Sequence, residues 1–199
     1  MDVSIKPVSA DNLEDWLSFF DKDAFSDNPD WSFCYCGFYF FLDDVWNVKT
    51  KEENRADAIN HIKSGKMQGY LAYQEGKVVG WVNAADRLSF ERLCSQPGFL
   101  ESGEFRIPED PSSGPGGSGK AIVCYLIRPD MRGRGIASAL LARVVLDAAA
   151  EGFSYVEAYP VNHASSCAEH YHGPASLYEK AGFQKVLSFP EVDVWRKLL

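Results

Sequence analysis

The stretch Ala121-Ile-Val-Cys-Tyr125-Leu126-Ile127-Arg-Pro129-Asp-Met-Arg132-Gly133-Arg134-Gly135-Ile136-Ala137-Ser138-Ala-Leu-Leu141 decides how this chain folds. Ala121 to Ile127 is a continuous apolar run, the pattern of a strand buried on both faces. Arg128 to Arg134 then reads as a turn, with Pro129 and Gly133 as breakers. From about Gly135 to Glu151, Ile136, Leu140, Val144 and Ala148 recur on one stripe, which predicts a helix that Gly152 ends. Tyr155 to Tyr159 is the next strand, so strand, crossover helix and strand form one parallel unit.

Working outward, a short helix at Ala175 to Ala181 and two strands, Phe183 to Ser188 and Val192 to Lys197, complete the C-terminal part. Towards the N-terminus, Val3 to Lys6 alternates like a short strand. Asp11-x-x-Glu14 offers a capping box ahead of Leu13, Trp16, Leu17 and Phe20 at helical spacing. Thr50-x-x-Glu53 opens a second helix that stops near Gly65. Strands Gln68 to Gln74 and Lys77 to Asn83 are joined at Glu75-Gly76, a hairpin turn. Residues 97 to 119, rich in Pro, Gly and Ser, read as a long flexible loop inside one domain spanning 1–199.

Composition narrows the function. A chain of 199 residues that is 46% hydrophobic, with 13 Phe, 9 Tyr and 5 Trp, is one globular domain with an ample core. Twenty Lys and Arg against 28 Asp and Glu leave a net charge of −8. Such a surface repels phosphate backbones, so no nucleic-acid partner is expected. The longest apolar run, Phe33 to Leu42, has ten residues, against roughly 20 for a membrane span. No membrane partner is expected either. The first 20 residues lack a hydrophobic stretch, and the 5 cysteines have no framework spacing. Both point to a cytoplasmic protein.

Three glycine loops compete for the chemistry. Gly114 to Lys120 fits most of a Walker pattern, but Ala121 replaces the Ser or Thr that holds magnesium, and the loop opens a strand rather than a helix. Gly133-Arg-Gly135 nearly matches a dinucleotide fingerprint, yet Pro129 to Arg132 separate it from the strand and the remaining chain is too short for a doubly wound sheet. The third reading takes Arg132-x-x-Gly135-x-Ala137 as an anion-binding turn. A helix start offers free amides, glycines let the backbone approach, and Arg132 and Arg134 add positive charge to an acidic protein.

That third turn follows a strand ending Ile127-Arg-Pro129 and precedes a long helix, then Glu157, Asn162 and Leu177-Tyr-Glu-Lys-Ala-Gly-Phe183. In this order the motifs resemble the GNAT superfamily of acetyl-CoA-dependent N-acetyltransferases. The resemblance covers residues 120 to 199 in motif and residues 1 to 100 only in the order of elements. It implies an α/β fold of the α+β type. Its central sheet is mixed and mostly antiparallel, of about six to seven strands, with a splayed parallel pair and helices on both faces. It implies acetyl-CoA as co-substrate, no metal, and direct transfer of the acetyl group to an amine acceptor, in a monomer or homodimer.

By the same resemblance, the pyrophosphate lies on Arg132, Gly133, Arg134 and Gly135 and on the first helical residues, Ile136, Ala137 and Ser138. The pantetheine arm pairs with the backbone near Tyr125, Leu126 and Ile127 like an added strand. That leaves the thioester carbonyl at the Ile127 amide, an oxyanion-type donor. Asn162 is a further cofactor contact. Tyr178 matches the acid that protonates the departing thiolate. The amine's proton goes to Glu157, or to ordered water as in many members.

Two features depart from the family pattern. Asn162 and Tyr178 are sixteen residues apart, wider than the family spacing, and the insert His163 to His172 carries three histidines and Cys167. It reads as an acceptor-lining loop, with the aromatic segment 31 to 41 and the strand end Asn83 to Arg87 as the other walls. A zinc site from those histidines lacks a second compact ligand pair. Cys34 and Cys36 share a face if the segment is extended, and read equally as buried small hydrophobes. The acceptor is expected to be a primary amine of a small molecule, with a slight tilt towards a cationic one. The alternatives are a protein or peptide amine, or a non-catalytic acyl-CoA sensor.

Overall fold

The computed structural model describes residues 3–95, 119–164 and 166–199. The expected loop 97–119 lies outside them but for Gly119, which begins a strand. Seven strands form one sheet: β1 (Ser4–Pro7), β2 (Gly69–Gln74), β3 (Lys77–Asp86), β4 (Gly119–Ile127), β5 (Tyr155–Ala158), β6 (Gln184–Ser188) and β7 (Asp193–Leu198). Their order is β1-β2-β3-β4-β5-β7-β6, with β4 and β5 parallel and the other neighbours antiparallel. The fold class is the one the motifs imply.

The helices are α1 (Leu13–Lys22), α2 (Asp43–Trp46), α3 (Lys51–Lys63), α4 (Glu91–Ser95), α5 (Ile136–Ala150) and α6 (Ala175–Lys180). On one face of the sheet, the α5 stripe Ile136, Leu140, Val144 and Ala148 packs with Ile122, Val156 and Ala158. On the other, Trp16 and Phe20 of α1 pack with Tyr35, Phe40, Trp81 and Val123. Trp16 stacks on Phe20 at 3.9 Å and meets Trp81 edge-on at 5.9 Å. Such pairs add roughly 0.5–1.5 kcal/mol each beyond the area they bury.

Local signals hold with one correction. The Thr50–Glu53 capping box is present in both halves at the start of α3. At Glu75-Gly76 both residues have positive φ, as a primed hairpin turn requires. The Asp11–Glu14 box does not form. A short 3-10 turn, Ala10–Asn12, precedes α1, and Ser9 with Asn12 makes the reciprocal cap instead.

The parallel pair comes apart partway along. β4 pairs with β5 from Gly119↔Tyr155 only as far as Ile122↔Ala158. Two local causes coincide there. Against β3, Asn83 faces Cys124 and Ala84 faces Ile122, so Val123 is an extra residue, a bulge that bends β4 and raises its twist. On the other strand, Pro160 has no N–H to continue a ladder. The chain there turns to β7 instead, with Val161 bridging Val192 and the Asp193 amide donating to the Pro160 carbonyl at 3.1 Å. The gap opens beside Val123 to Ile127, and the turn Glu169–His172 packs against β4 there.

Candidate active site

The open edge of β4 exposes peptide groups. The Arg128 amide donates to the Val79 carbonyl at 3.0 Å, so strand alternation turns the amides of Ile127 and Tyr125 away from β3, into the gap. On that edge the Ile127 carbonyl accepts from Arg132 Nε at 3.2 Å. The turn that follows ends at Gly135, the N-cap of α5, which carries no side-chain cap. Gly133 and Gly135 have φ of +71° and +82°, a region that favours glycine, and a Cβ on either would meet nothing within 4 Å. The first amides of α5 therefore face open space, the arrangement that receives an anion.

These elements wall one cleft of about 420 Å³. Tyr125, Leu126 and Ile127 form one side of it, and Arg132, Gly133, Gly135, Ile136, Ala137 and Ser138 another. Arg134 is exposed and is not among the cleft walls. Arg132 turns its Nη atoms to Asp27, with Nη2 3.1 Å from Oδ1, and this hydrogen-bonded cation holds the Asp27 carboxyl below its usual range. Asp27 lines the same cleft.

Tyr178 on α6 is fully buried, and its hydroxyl donates to the His172 carbonyl. Burial, with Tyr125 beside it, pushes its pKa well up, so the phenol keeps its proton. A Cβ on Gly173 would lie 3.1 Å from that hydroxyl and 3.4 Å from the Tyr125 ring. Gly173 lines the cleft, so the hydroxyl sits just beneath the cleft surface.

Two expected residues are engaged elsewhere. Glu157 on β5 is fully buried on the face opposite Val156 and Ala158. Its Oε1 accepts from the Tyr159 hydroxyl at 2.6 Å, its Oε2 from Arg196 across β7, and Arg87 Nε lies 3.4 Å away. It does not line the cleft. Asn162 is exposed, and its side-chain amide donates to the carbonyls of Phe189 and Pro190 at 2.8 and 3.4 Å, in the turn between β6 and β7. Asn162 thus holds that turn and is not a cleft wall.

Beside the cleft lies a second chamber of about 260 Å³. Phe25, Trp31, Leu126 and Tyr171 wall both spaces. The rest of the chamber is Phe33, Cys34, Cys36, Phe38, Tyr39, Trp46 and Cys124. Six residues of the aromatic segment, Trp31, Phe33, Cys34, Cys36, Phe38 and Tyr39, thus wall this chamber. The strand end does not: Asn83 reaches the Cys36 carbonyl at 3.5 Å, and Arg87 turns to Glu157. Among the insert's described residues, Cys167, Ala168, His170 and Tyr171 wall the cleft and only Tyr171 reaches the chamber. His172 is buried, with Nε2 2.8 Å from the Tyr39 hydroxyl, and burial drives its pKa down to about 3.

The segment carrying Cys34 and Cys36 is a turn rather than an extended strip, because Tyr35 and Cys36 have φ of 43° and 53°. Trp81 Nε1 donates to Cys36 Sγ at 3.3 Å. Burial raises the Cys34 thiol to about 12 and Cys36 well up, so both stay protonated. Among the described residues, no three His, Cys, Asp or Glu side chains converge as metal ligands. The Walker-like run ends in β4, where Lys120 is buried and paired with Glu151 at 2.5 Å. Phe25, Asp27, Asn28 and Trp46 were not anticipated as walls. They come from loops and a single-turn helix that carry no motif.

The sequence profile of the acetyltransferase (GNAT) family matches residues 13–183. No curated protein matches the chain. Among solved structures, a Drosophila melanogaster polyamine N-acetyltransferase, an enzyme that catalyses formation of N-acetylagmatine, superposes with a TM-score of 0.60 at 14% identity, over 100% of both chains. The GNAT domain of S. lividans PAT gives 0.58 at 18% identity over 99% of this chain and 90% of that one. The PaiA N-acetyltransferase of Thermoplasma acidophilum, in complex with coenzyme A, gives 0.55 at 13% identity over 100% of both. At such identities the superpositions speak for the fold alone. The profile match is what decides membership: the chain belongs to the GNAT acetyltransferase family and is an acyltransferase.

Proposed function

We propose that this protein transfers an acetyl group from acetyl-CoA directly to the primary amine of a small molecule. The observation that carries this reading is one continuous surface. It runs from the uncapped start of α5, along the open edge of β4, to Gly173, with the Tyr178 hydroxyl just beneath it. The residues present suit the co-substrate. The amides from Gly133 to Ser138 would receive the diphosphate, and those of Tyr125 and Ile127 would pair with the pantetheine arm. Acetyl-CoA supplies an activated acyl group on a thiolate leaving group.

Each residue then has a task. The Ile127 amide would stabilise charge building on the carbonyl oxygen as the amine nitrogen bonds to carbon and the C–S bond breaks. Tyr178, kept protonated by burial, would turn its hydrogen from the His172 carbonyl to the departing sulfur. Glu157 has both oxygens occupied, and this favours a fixed counter-ion between β5 and β7 over a proton acceptor. The amine's proton would then leave to water in the cleft, and a proton from that water would restore the Tyr178 hydroxyl. The test of Glu157 is Glu157→Gln, which as a base would flatten the acid limb of the kcat/KM profile and as a counter-ion would lower Tm without moving that limb. The 5 free cysteines fit cytoplasmic residence. The function itself is tested by thiol release and product mass with acetyl-CoA and a panel of amines. Acetyl-CoA binding without acetylation of any amine overturns the reading in favour of a sensor.

A further inference from the structure

Resting on that reading, we infer that the acceptor carries an aromatic arm: the chamber beside the cleft takes the aryl group of an arylalkyl primary amine. The chamber shares Leu126 and Tyr171 with the cleft, so a molecule whose amine stands at the open edge of β4 has its other end inside the chamber. Seven of the eleven described residues that line it carry aromatic rings. Five of these are fixed against each other, Trp31 on Tyr171 at 5.7 Å and Trp46 on Phe33 and Phe38 at 5.5 Å each. Trp31 and Phe33 are also exposed at its mouth, 39% and 37% accessible, where an apolar group would enter.

Size and charge narrow the occupant. An apolar cavity of about 150 Å³ holds a benzene ring, and this chamber, at about 260 Å³, has room for one ring with its linker or for a fused pair. Among the described residues, no Asp or Glu lines it. A second ammonium, as in a diamine or polyamine, would enter without a counter-charge, which is costly. The chamber thus favours a monocationic amine with an apolar arm over a polycation. The thiols add to the apolar character, because all three that line the chamber are free and those of Cys34 and Cys36 stay un-ionised. Two of them are held there by a turn with two consecutive left-handed residues. Tyr35 anchors that turn through its hydroxyl on Asp21 at 2.6 Å, and Asp21 in turn pairs with Arg55. Strain of this kind persists where the surroundings over-determine a position, and it gathers at ligand sites.

The experiment compares ethylamine, 2-phenylethylamine, tryptamine, putrescine and agmatine with acetyl-CoA as donor, read as kcat/KM and product mass. The aryl amines should exceed ethylamine by about 100-fold, given that a single methylene in a hydrophobic pocket is worth about 10–200-fold. Putrescine and agmatine should not exceed ethylamine. Cys34→Leu, which fills part of the chamber, should narrow the tryptamine-to-ethylamine ratio of kcat/KM about tenfold with acetyl-CoA Kd unchanged, and an unaltered ratio overturns the aryl arm. Turnover of ethylamine or the diamines equal to that of the aryl amines overturns the aryl arm and leaves the acetyltransferase reading standing. Absence of any acetylated amine overturns both.

Discussion

The two faces of the sheet are assembled in different ways. The α5 face draws the open strand edge and the glycine turn of the cleft from one uninterrupted strand–turn–helix, Gly119–Ile127 through Ile136–Ala150. Its contacts are set by spacing along the chain. The aromatic face gathers Phe25, Trp31 to Tyr39, Trp46, Cys124 and Tyr171 from distant segments. Only folding brings these together. A co-substrate shared across a family can be met by a local motif, because a helix start and a glycine turn suffice for a phosphate. An acceptor that varies is met by loops on a rigid scaffold, which carry no fixed spacing.

The comparison can be broken at several points, the largest effect first. Tyr178→Phe should lower kcat by about 10²–10⁴-fold with acetyl-CoA Kd unchanged. A kcat within twofold of wild type across a pH series would remove Tyr178 as the acid. Gly135→Val places a β-branched residue at φ +82°. The strain of roughly 1–3 kcal/mol should weaken acetyl-CoA by about 10–100-fold. Calorimetry on the folded variant, with acceptor KM measured beside it, shows whether the damage stays on the α5 face. Tyr171→Ala should cross the divide, raising both acetyl-CoA Kd and acceptor KM several-fold, since Tyr171 walls both spaces. An effect on one alone would sharpen the boundary.

The smallest effect concerns pH. His172 has its pKa lowered from 6.5 to about 3 in the folded state, so the unfolded chain binds more protons between those values. Stability should therefore fall with acidification from pH 6.5 towards 3, by at most about 1.4 kcal/mol per unit from this group. Chemical denaturation of wild type and His172→Gln across that range checks it. Equal slopes would mean that the histidine is not buried neutral.

How much was legible follows the same division. Ile136, Leu140, Val144 and Ala148 announce α5, and Leu177 to Phe183 announce α6, because each pattern is local. Of the residues that the resemblance assigns to the cofactor, Tyr125 to Ile127 and Arg132 to Ser138, Arg134 excepted, wall the cleft, whereas Asn162 does not. Glu157 could not be judged in this way. Its partners Arg196 and Arg87 lie on β7 and just beyond β3, and only the assembled sheet brings their guanidinium groups against it. The Cys34–Cys36 alternation misled for a related reason. Tyr35 and Cys36 adopt positive φ through tertiary anchors that no local propensity reveals. Of the insert's described residues, four wall the cleft along the open edge of β4, and Tyr171 walls the chamber as well.

Val123 lets one strand answer to two neighbours. The extra residue against β3 puts Val123 and Cys124 on the same side of the sheet, with Tyr125 and Ile127 on the α5 side and Leu126 on the aromatic side. Loss of that one codon would leave Ile122 opposite Ala84 and Cys124 opposite Asn83, so every remaining side chain would keep its face in a regular ladder. What would go is the local bend and added twist at the point where β4 parts from β5. The opening of the gap is thus tuned by a residue whose deletion displaces no other side chain across the sheet.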